Sequence, residues 1–337
     1  MSLKIGFLGC GLIARSHAAR LQSVETADIV SVYDIDPERA ATFGTFTGAT
    51  VARSAEQVIE QSDAIYVTTW TSEHPYLVSS IAAAEKPIFC EKPLGIDLQT
   101  ARSMFDEIQA AGVVNQVGLV LRHSPSFRWM KYQMSSGEHG PRMSMVFRDD
   151  QYIPVSGMYG STWRGDVSKA GAGTLLEHSI HDLDLIEWIL GPIVRVSCVT
   201  SNIHGIEGIE DQASVILTAG HGGQAVLSST WHDVMTRPSL RLVEGFCQGA
   251  YLGLEGDWLG PVRMTVAGSA QQQWEGDDVI EMANAIDGRG TNPDADFVDS
   301  VLNERPAFPD FEVAVRAHVL ADAAYRSAAT NGSPIEV

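Results

Sequence analysis

Residues 5–14 of the 337-residue chain read Ile-Gly-Phe-Leu-Gly-Cys-Gly-Leu-Ile-Ala, an apolar run that leads into a G-x-G-x-x-A turn. In this pattern the first Gly permits a tight turn, and the second lets backbone N–H groups approach a pyrophosphate. The small Ala allows close packing of helix on strand, and the N-terminus of the helix favours negative charge. The turn therefore predicts dinucleotide contacts at Gly9, Gly11, Leu12, Ile13 and Ala14, although a merely tight strand–helix turn gives the same pattern.

The first 120 residues continue this alternation of strand and helix. Apolar strands are expected at 5–8, 28–33, 64–68, 87–90 and 113–120, with helices at 12–21, 37–43, 55–61, 74–84 and 98–111. Short, nearly all-apolar strands separated by helices predict a parallel sheet covered on both faces, and right-handed crossovers make it doubly wound. Ligands bind such sheets at the carboxyl ends of the strands.

The second strand ends in Asp34, which lies 23 residues after Gly11. This is near the ~20-residue spacing at which a carboxylate accepts hydrogen bonds from a ribose 2′-hydroxyl. A carboxylate at this position repels the 2′-phosphate of NADP, so the sequence predicts NAD as the cofactor. Asp36 is expected to cap the next helix.

Beyond about residue 121 the pattern changes to strands without intervening helices. Strands are expected at 143–147, 194–200, 213–218, 225–231 and 240–246, with helices at 125–135, 174–190 and 311–329. They predict an α+β domain on a large, mostly antiparallel open sheet. The expected domains are therefore 1–121 and 122–337. An exposed sheet face favours burial against another subunit, so we expect a homodimer or homotetramer.

The composition excludes several classes of protein. The net charge of −19 would repel an extended phosphate backbone, so nucleic acid is not an expected partner. Four cysteines without CxxC spacing favour a reducing compartment. No apolar run reaches the ~18 residues needed to span a bilayer, and three glycines interrupt the apolar stretch that resembles a signal peptide. We therefore expect a cytoplasmic protein without membrane contact.

Two further motifs carry chemistry. Glu91-Lys92-Pro93 follows the fifth strand, where a lysine is either a cation beside the cofactor or simply solvated. On the helix expected at 174–190, Glu177, His181 and Asp184 share one stripe, which predicts a base with a carboxylate one turn away. One alternative is a polar helix face that is exposed to water and has no catalytic role. The other alternative is a metal site that uses Glu177, His178 and His181.

Together the motifs resemble the glucose–fructose oxidoreductase, inositol dehydrogenase and MocA (Gfo/Idh/MocA) family. The motifs that carry the resemblance are Gly9-Cys10-Gly11-x-x-Ala14, His74, Glu91-Lys92-Pro93, Gly118-x-x-x-Arg122-x-x-Pro125, Ala170–Leu176, and His181 with Asp184. The resemblance implies a Rossmann domain followed by an open-sheet domain, and a nicotinamide near the Glu-Lys-Pro turn. It implies sugars, cyclic polyols or related alcohols as substrates. The family's catalytic Lys falls on Lys92 and its catalytic His on His181, and a cis Lys92–Pro93 bond is expected.

The chain departs from the family pattern at three places. Glu177 stands where many relatives carry Asp, Ser179 (beside His178) where they carry Gly, and Trp70 where they carry Pro. We assign catalysis to Lys92, His181 and Glu177, and no metal. Further cofactor contacts are assigned to Thr69, Trp70, His74, Glu91, Lys92 and Pro93, and substrate contacts to Arg122, Trp163, Arg164 and His178. The expected function is NAD-dependent oxidation of a sugar or polyol alcohol. A metal-dependent hydrolase and a non-catalytic dinucleotide-binding sensor remain as alternatives.

Overall fold

The computed structural model describes residues 2–156 and 159–337. The strands are β1 (Leu3–Leu8), β2 (Ala27–Tyr33), β3 (Thr50–Val51), β4 (Ala64–Val67), β5 (Ile88–Cys90), β6 (Asn115–Val117), β7 (Arg142–Tyr152), β8 (Ile193–Ser201), β9 (Gln212–Ala219), β10 (Gln224–His232), β11 (Leu240–Cys247), β12 (Ala250–Glu255), β13 (Val262–Val266), β14 (Gln272–Trp274) and β15 (Ile335–Glu336). The helices are α1 (Leu12–Leu21), α2 (Pro37–Thr47), α3 (Ala55–Gln61), α4 (His74–Ala83), α5 (Leu98–Ala111), α6 (Pro125–Ser135), α7 (Val167–Ala170), α8 (Thr174–Glu177), α9 (Ile180–Leu190), α10 (Asp277–Asp287), α11 (Pro293–Leu302) and α12 (Phe311–Ala328). Among the described residues, no helix is long and apolar enough to cross a membrane.

The first compact unit contains the chain up to Val120 together with Asn292–Val315. Its six strands form a parallel sheet in the order β3-β2-β1-β4-β5-β6. This is the strand order of doubly wound dinucleotide-binding sheets, and it confirms the predicted fold. The strand order reverses between β1 and β4, so the residues that follow these two strands lie at the position where such sheets bind ligands.

Aromatic packing explains why residues 292–315 belong to this unit. The rings of Phe7, Tyr66 and Phe89 stack across β1, β4 and β5 with 4.7 Å between neighbouring centroids. Phe297 of α11 packs edge-on against Tyr66 and Phe89 and is completely buried. The division expected from sequence placed α11 in the second domain. Its apolar face instead completes the core of the first unit.

Several helix ends follow from local capping. The Asp36 side chain accepts hydrogen bonds from two backbone N–H groups at the start of α2, as predicted. The Asp97 carboxylate accepts from Thr100 N–H at the start of α5, and Gly112 ends that helix in the left-handed conformation. Such caps satisfy N–H and C=O groups that lack partners within the helix.

The second unit contains Leu121–Thr291 and Arg316–Val337. Its nine strands follow the order β14-β13-β12-β11-β7-β10-β9-β8-β15, and every pair is antiparallel except β7 with β10. The predicted antiparallel sheet is thus confirmed. On one face, neighbouring strands place Val146, Ile216 and Val226 side by side, with 40%, 51% and 44% of their surfaces exposed.

The prediction of a single helix over residues 174–190 is wrong, because α8 ends at Glu177 and α9 begins at Ile180. The N–H of Ser179 donates to the Thr174 carbonyl five residues back at 2.8 Å, so the regular helical pattern is interrupted. The Ser179 hydroxyl donates to Ser229 Oγ on β10 at 2.7 Å. A tertiary contact thus holds the interruption, and Glu177 does not share one helix with His181.

Candidate active site

The turn between β1 and α1 has the geometry of a phosphate cradle. Gly9 has φ +92°, and a Cβ placed there would lie 2.6 Å from the Thr68 carbonyl oxygen. A Cβ on Gly11 would have no heavy atom within 4 Å, and no side chain of the described residues caps the first turn of α1. Leu12 and Ile13 are 64% and 42% exposed beside these open N–H groups. Free donors flanked by apolar side chains fit a dinucleotide.

The two glycines of this turn should therefore respond differently to alanine. Gly9→Ala should destabilise the protein by about 2 kcal/mol or more, because a side chain is strained at positive φ and meets backbone. Gly11→Ala should change stability by less than ~1 kcal/mol and weaken NAD binding about tenfold, because the methyl occupies the phosphate's space. Urea unfolding and calorimetric titration with NAD measure the two effects. Unchanged NAD affinity in a folded Gly11→Ala variant would place the pyrophosphate elsewhere.

Asp34 connects the end of β2 to this turn. Its Oδ2 accepts from Cys10 N–H at 2.8 Å and its Oδ1 from Asp36 N–H at 2.9 Å. Arg39 Nη1 lies 3.5 Å from Oδ1. An ionised carboxylate has about four acceptor positions, so Asp34 retains capacity for the ribose hydroxyls.

The segment after β4 carries three of the expected cofactor residues. The Thr69 hydroxyl lies 3.4 Å from the Trp70 carbonyl oxygen, next to the 3-10 turn Thr71–Glu73. His74 is buried, with Nδ1 3.1 Å from the Leu94 carbonyl oxygen and Nε2 3.4 Å from that of Thr69. Burial lowers the pKa of His74, so its ring is neutral and donates to one carbonyl at a time. His74 thus connects the Thr69–Trp70 segment to the chain after Pro93.

The Glu91-Lys92-Pro93 turn begins where β5 ends, and the Lys92–Pro93 bond is cis, as expected. Glu91 is buried, and its Oε2 accepts from the backbone N–H of Lys92 at 3.2 Å. A Cβ on Gly118 would lie 2.5 Å from Glu91 Oε1, so this glycine leaves the space that the carboxylate fills. The contact accounts for Gly118 at the start of the motif that ends at Pro125.

Sequence reasoning missed the role of His17, which lies against Glu91. The Nε2 atom of His17 is 2.8 Å from Glu91 Oε1, and its Nδ1 is 2.6 Å from Asp294 Oδ1. The available signal was a histidine on the buried face of α1, among Ala14, Ala18 and Leu21. A buried polar side chain requires hydrogen-bond partners, but the sequence does not identify them.

In the second unit the structure brings together Trp163, Arg164 and Glu177, three of the predicted site residues. The Arg164 Nε donates to the buried Glu177 carboxylate, and its guanidinium lies over the Trp163 ring, 4.6 Å from the centroid. The carboxylate of Glu177 is thus oriented by Arg164, and the planar guanidinium is oriented by the indole ring.

His178 belongs to a separate buried network. Its Nε2 lies 2.8 Å from Asp149 Oδ2, and Arg241 contacts Asp149 at 2.9 Å and Asp182 at 2.6 Å. Burial raises the pKa of Asp182, whereas Arg241 and His178 outweigh burial at Asp149 and lower its pKa. Over residues 2–156 and 159–337, no group of three or more His, Cys, Asp or Glu side chains could hold a metal ion. The metal-hydrolase alternative is therefore not supported.

His181 lies in the first turn of α9 and is buried. One turn later, Asp184 accepts from Arg122 Nε at 2.9 Å and from Arg122 Nη2 at 2.6 Å. The Arg122 guanidinium also lies 5.3 Å from the centroid of the Trp188 ring. Arg122, expected at the substrate, is thus oriented by Asp184 through two charge-assisted hydrogen bonds.

Sequence reasoning also missed Glu210, which holds the glycine-rich segment before α8. Its carboxylate accepts from Gly173 N–H at 2.8 Å, from Leu175 N–H at 2.9 Å and from the Tyr325 hydroxyl at 2.9 Å. Burial raises the pKa of Glu210, and these donors oppose the rise. An acidic pair, Glu210-Asp211, immediately before an apolar strand was the available signal.

Two family models match the chain. Residues 3–119 match a family described as an oxidoreductase family with an NAD-binding Rossmann fold. Residues 127–244 match the GFO/IDH/MocA C-terminal domain. The two matches adjoin the unit boundary at residue 120 and together span more than half of the chain.

Two inositol 2-dehydrogenases are similar to this chain. That of Cereibacter sphaeroides is 29% identical over 229 residues, which cover 66% of this chain and 65% of that protein. That of Acidothermus cellulolyticus is 32% identical over 200 residues, which cover 58% of this chain and 55% of that protein. The chain thus aligns with less than two thirds of the length of either protein.

Solved structures share the fold along the whole chain. Levoglucosan dehydrogenase in complex with NADH has a TM-score of 0.88 at 18% identity, covering 100% of this chain and 99% of that one. The WlbA dehydrogenase from Bordetella pertussis, in complex with NADH and UDP-GlcNAcA, has a TM-score of 0.83 at 20% identity. The match covers 100% of this chain and 98% of that one. The open phosphate cradle and the Glu-Lys-Pro turn both lie in the matched NAD-binding domain, and with both domains matched the chain belongs to the Gfo/Idh/MocA family of NAD-binding oxidoreductases.

Proposed function

We propose that the protein is an NAD-dependent dehydrogenase of a secondary alcohol in a sugar, an inositol or a related cyclic polyol. The observation that carries this proposal is the position of Lys92. It follows β5 at the carboxyl edge of a sheet whose first turn is open to a pyrophosphate, and ligands bind at that edge. The names of the inositol 2-dehydrogenase relatives support the polyol class.

Bound NAD⁺ supplies the acceptor for the hydride that leaves the carbinol carbon. His181 takes the hydroxyl proton as general base, which suits a histidine because its ordinary pKa lies near neutral pH. Lys92 donates a hydrogen bond to the same oxygen and stabilises its developing negative charge. Glu177, oriented by Arg164, binds a neighbouring hydroxyl. Arg122, Trp163, Arg164 and His178 bind the remaining hydroxyls of the substrate.

We also propose a cytoplasmic homodimer or homotetramer. The partly exposed row of Val146, Ile216 and Val226 on the nine-stranded sheet supports the oligomer, because burial of apolar surface drives association. Light scattering of the purified protein tests it, and a mass of one chain would reject it.

The choice of cofactor gives a direct prediction. Native protein should use NAD better than NADP, since Asp34 repels a 2′-phosphate. Asp34→Ser should reduce this preference while lowering stability modestly, because the carboxylate also accepts from Cys10 and Asp36 N–H. Initial rates with each cofactor measure the preference. Equal use of NADP by the native protein would contradict the role of Asp34.

The function itself is tested with a panel of inositols, aldoses, ketoses and anhydrosugars, following NADH formation by absorbance. At least one cyclic polyol or sugar should reduce NAD at a rate that depends on its concentration. If no member of the panel reacts although calorimetry shows NAD binding, the sensor alternative replaces the dehydrogenase. Aliphatic secondary alcohols serve as a control for the substrate class.

A further inference from the structure

Behind the Lys92 turn, the first unit contains a buried chain of charged side chains. Arg20 Nε lies 2.5 Å from Asp294 Oδ2, and Asp294 Oδ1 lies 2.6 Å from His17 Nδ1. His17 Nε2 lies 2.8 Å from Glu91 Oε1, and Glu91 Oε2 accepts from Lys92 N–H. This row of hydrogen-bonded side chains thus extends from α1 and α11 to the backbone of the proposed catalytic lysine.

The surroundings of His17, at the centre of this row of side chains, favour the imidazolium form. His17 has no exposed surface, and each ring nitrogen faces a carboxylate, so both nitrogens donate. Burial disfavours the charged ring, but the carboxylates of Asp294 and Glu91 outweigh it and raise the pKa of His17 to about 9. The same ion pairs lower the pKa of Asp294. His17 therefore lies between two buried carboxylates, and Arg20 is a second cation on Asp294.

Arg20, Tyr66 and Phe89 also lie against the His17 ring. Arg20 Nη2 lies 3.0 Å from His17 Nδ1, and Arg20 Nε is paired with Asp294. The rings of Tyr66 on β4 and Phe89 on β5 pack on the imidazole at centroid distances of 5.5 and 4.7 Å. Burial raises the pKa of Tyr66 well above its ordinary value, so its hydroxyl stays neutral.

Two neighbours define the position of Glu91. His17 Nε2 lies 2.8 Å from its Oε1, and the absence of a side chain at Gly118 leaves the space that the carboxylate fills. Since its Oε2 accepts from Lys92 N–H, a displaced Glu91 would release the peptide that begins the turn.

We propose that His17 is a positioning residue for the dehydrogenase reaction: through Glu91 it holds the Lys92–Pro93 turn against α1, the helix that begins at the pyrophosphate turn. His17 itself touches neither substrate nor cofactor. The inference rests on the proposed function, because Lys92 is assigned there to the reacting oxygen. It adds a connection between the phosphate-binding helix and the catalytic lysine.

The first experiment observes Lys92 directly in the protein without cofactor. The chain has five lysines, so reductive ¹³C-methylation gives few resonances, and Lys92→Met identifies that of Lys92 by its disappearance. His17→Gln should shift the Lys92 resonance and leave those of Lys4, Lys131 and Lys169 in place. An unchanged Lys92 resonance in folded His17→Gln protein would overturn the proposal. Because this measurement needs no turnover, it is independent of the proposed function.

The second experiment separates positioning from stability. His17→Gln should lower kcat about tenfold or more with NAD affinity changed less than about threefold, because a small displacement of a catalytic group is costly. Phe297→Leu is the matched control. It weakens the same core but leaves the ion pairs intact, so it should lower the unfolding temperature and keep kcat within about twofold of native. Equal losses of kcat in the two variants at equal stability would reject a positioning role.

The third experiment measures stability and kcat as a function of pH, and it remains informative even if the His17→Gln variant does not fold. The contribution of His17 is complete below its ordinary pKa of 6.5 and is lost as pH rises through about 9, so native stability should fall across that range. Asp294→Asn removes one counter-ion and should move the alkaline decline of kcat to lower pH. A structural role would lower kcat without moving this midpoint, and an unmoved midpoint counts against the proposal. Full activity of Lys92→Met would instead refute the proposed function.

Discussion

Lys92→Met is expected to lower kcat by about 10²-fold or more, and His181→Asn by a similar factor. The methionine keeps the length of the lysine stem but removes the donor that stabilises negative charge on the reacting oxygen. The asparagine keeps a polar group but removes the base. Affinity for NAD should change little, because neither side chain is assigned to the dinucleotide phosphates. Steady-state rates with the best substrate of the panel, together with calorimetric NAD binding, measure these effects.

The double variant and two controls make this prediction specific. Groups that act on one oxygen are non-additive, so the double variant should be little worse than either single one. Lys86→Met, before the start of β5, and His221→Asn, on an exposed turn, should keep native kcat. Multiplicative losses in the double variant would show that the two residues act in separate steps.

Gly173→Ala is expected to give the largest loss of stability, about 4 kcal/mol or more, or to prevent folding of the second unit. A Cβ at this position would lie 1.9 Å from the Glu210 carbonyl oxygen and 2.6 Å from its nitrogen. Both atoms are backbone, so the conflict is not relieved by a change of rotamer. Any shift would also break the Gly173 and Leu175 N–H bonds to the Glu210 carboxylate. Urea unfolding or the yield of folded protein measures the effect.

Gly290→Ala is the matched control in the same unit, because its Cβ would enter open space at an ordinary φ. Its stability should stay within about 1 kcal/mol of native. If Gly173→Ala were as stable as this control, the close approach of Gly173 to Glu210 would be wrong, and Glu210 would not hold the segment that leads to α8.

The sequence determined by itself those features that depend on near neighbours. Helices α1, α3, α5 and α6 begin and end where they were predicted. Ser54, Asp97 and Ser124 cap the last three of them through backbone N–H groups only three residues away. The phosphate-binding turn and the residue after β2 were recognised for the same reason, since their geometry depends on a few consecutive residues.

The tertiary structure alone decided what depends on partners distant in the chain. At the interruption of the helix, Ser179 is hydrogen-bonded to Ser229 on β10, and no local signal in the sequence distinguishes this segment from a continuous helix. His17 meets Glu91 and Asp294, which lie 74 and 277 residues away. A buried charge demands a counter-charge because desolvation is costly, but that requirement does not identify the partner. The sequence therefore determined the dinucleotide-binding fold and its turns. The side chains that hold Lys92 and Gly173 could be identified only from the tertiary structure, because folding brings them together from distant parts of the sequence.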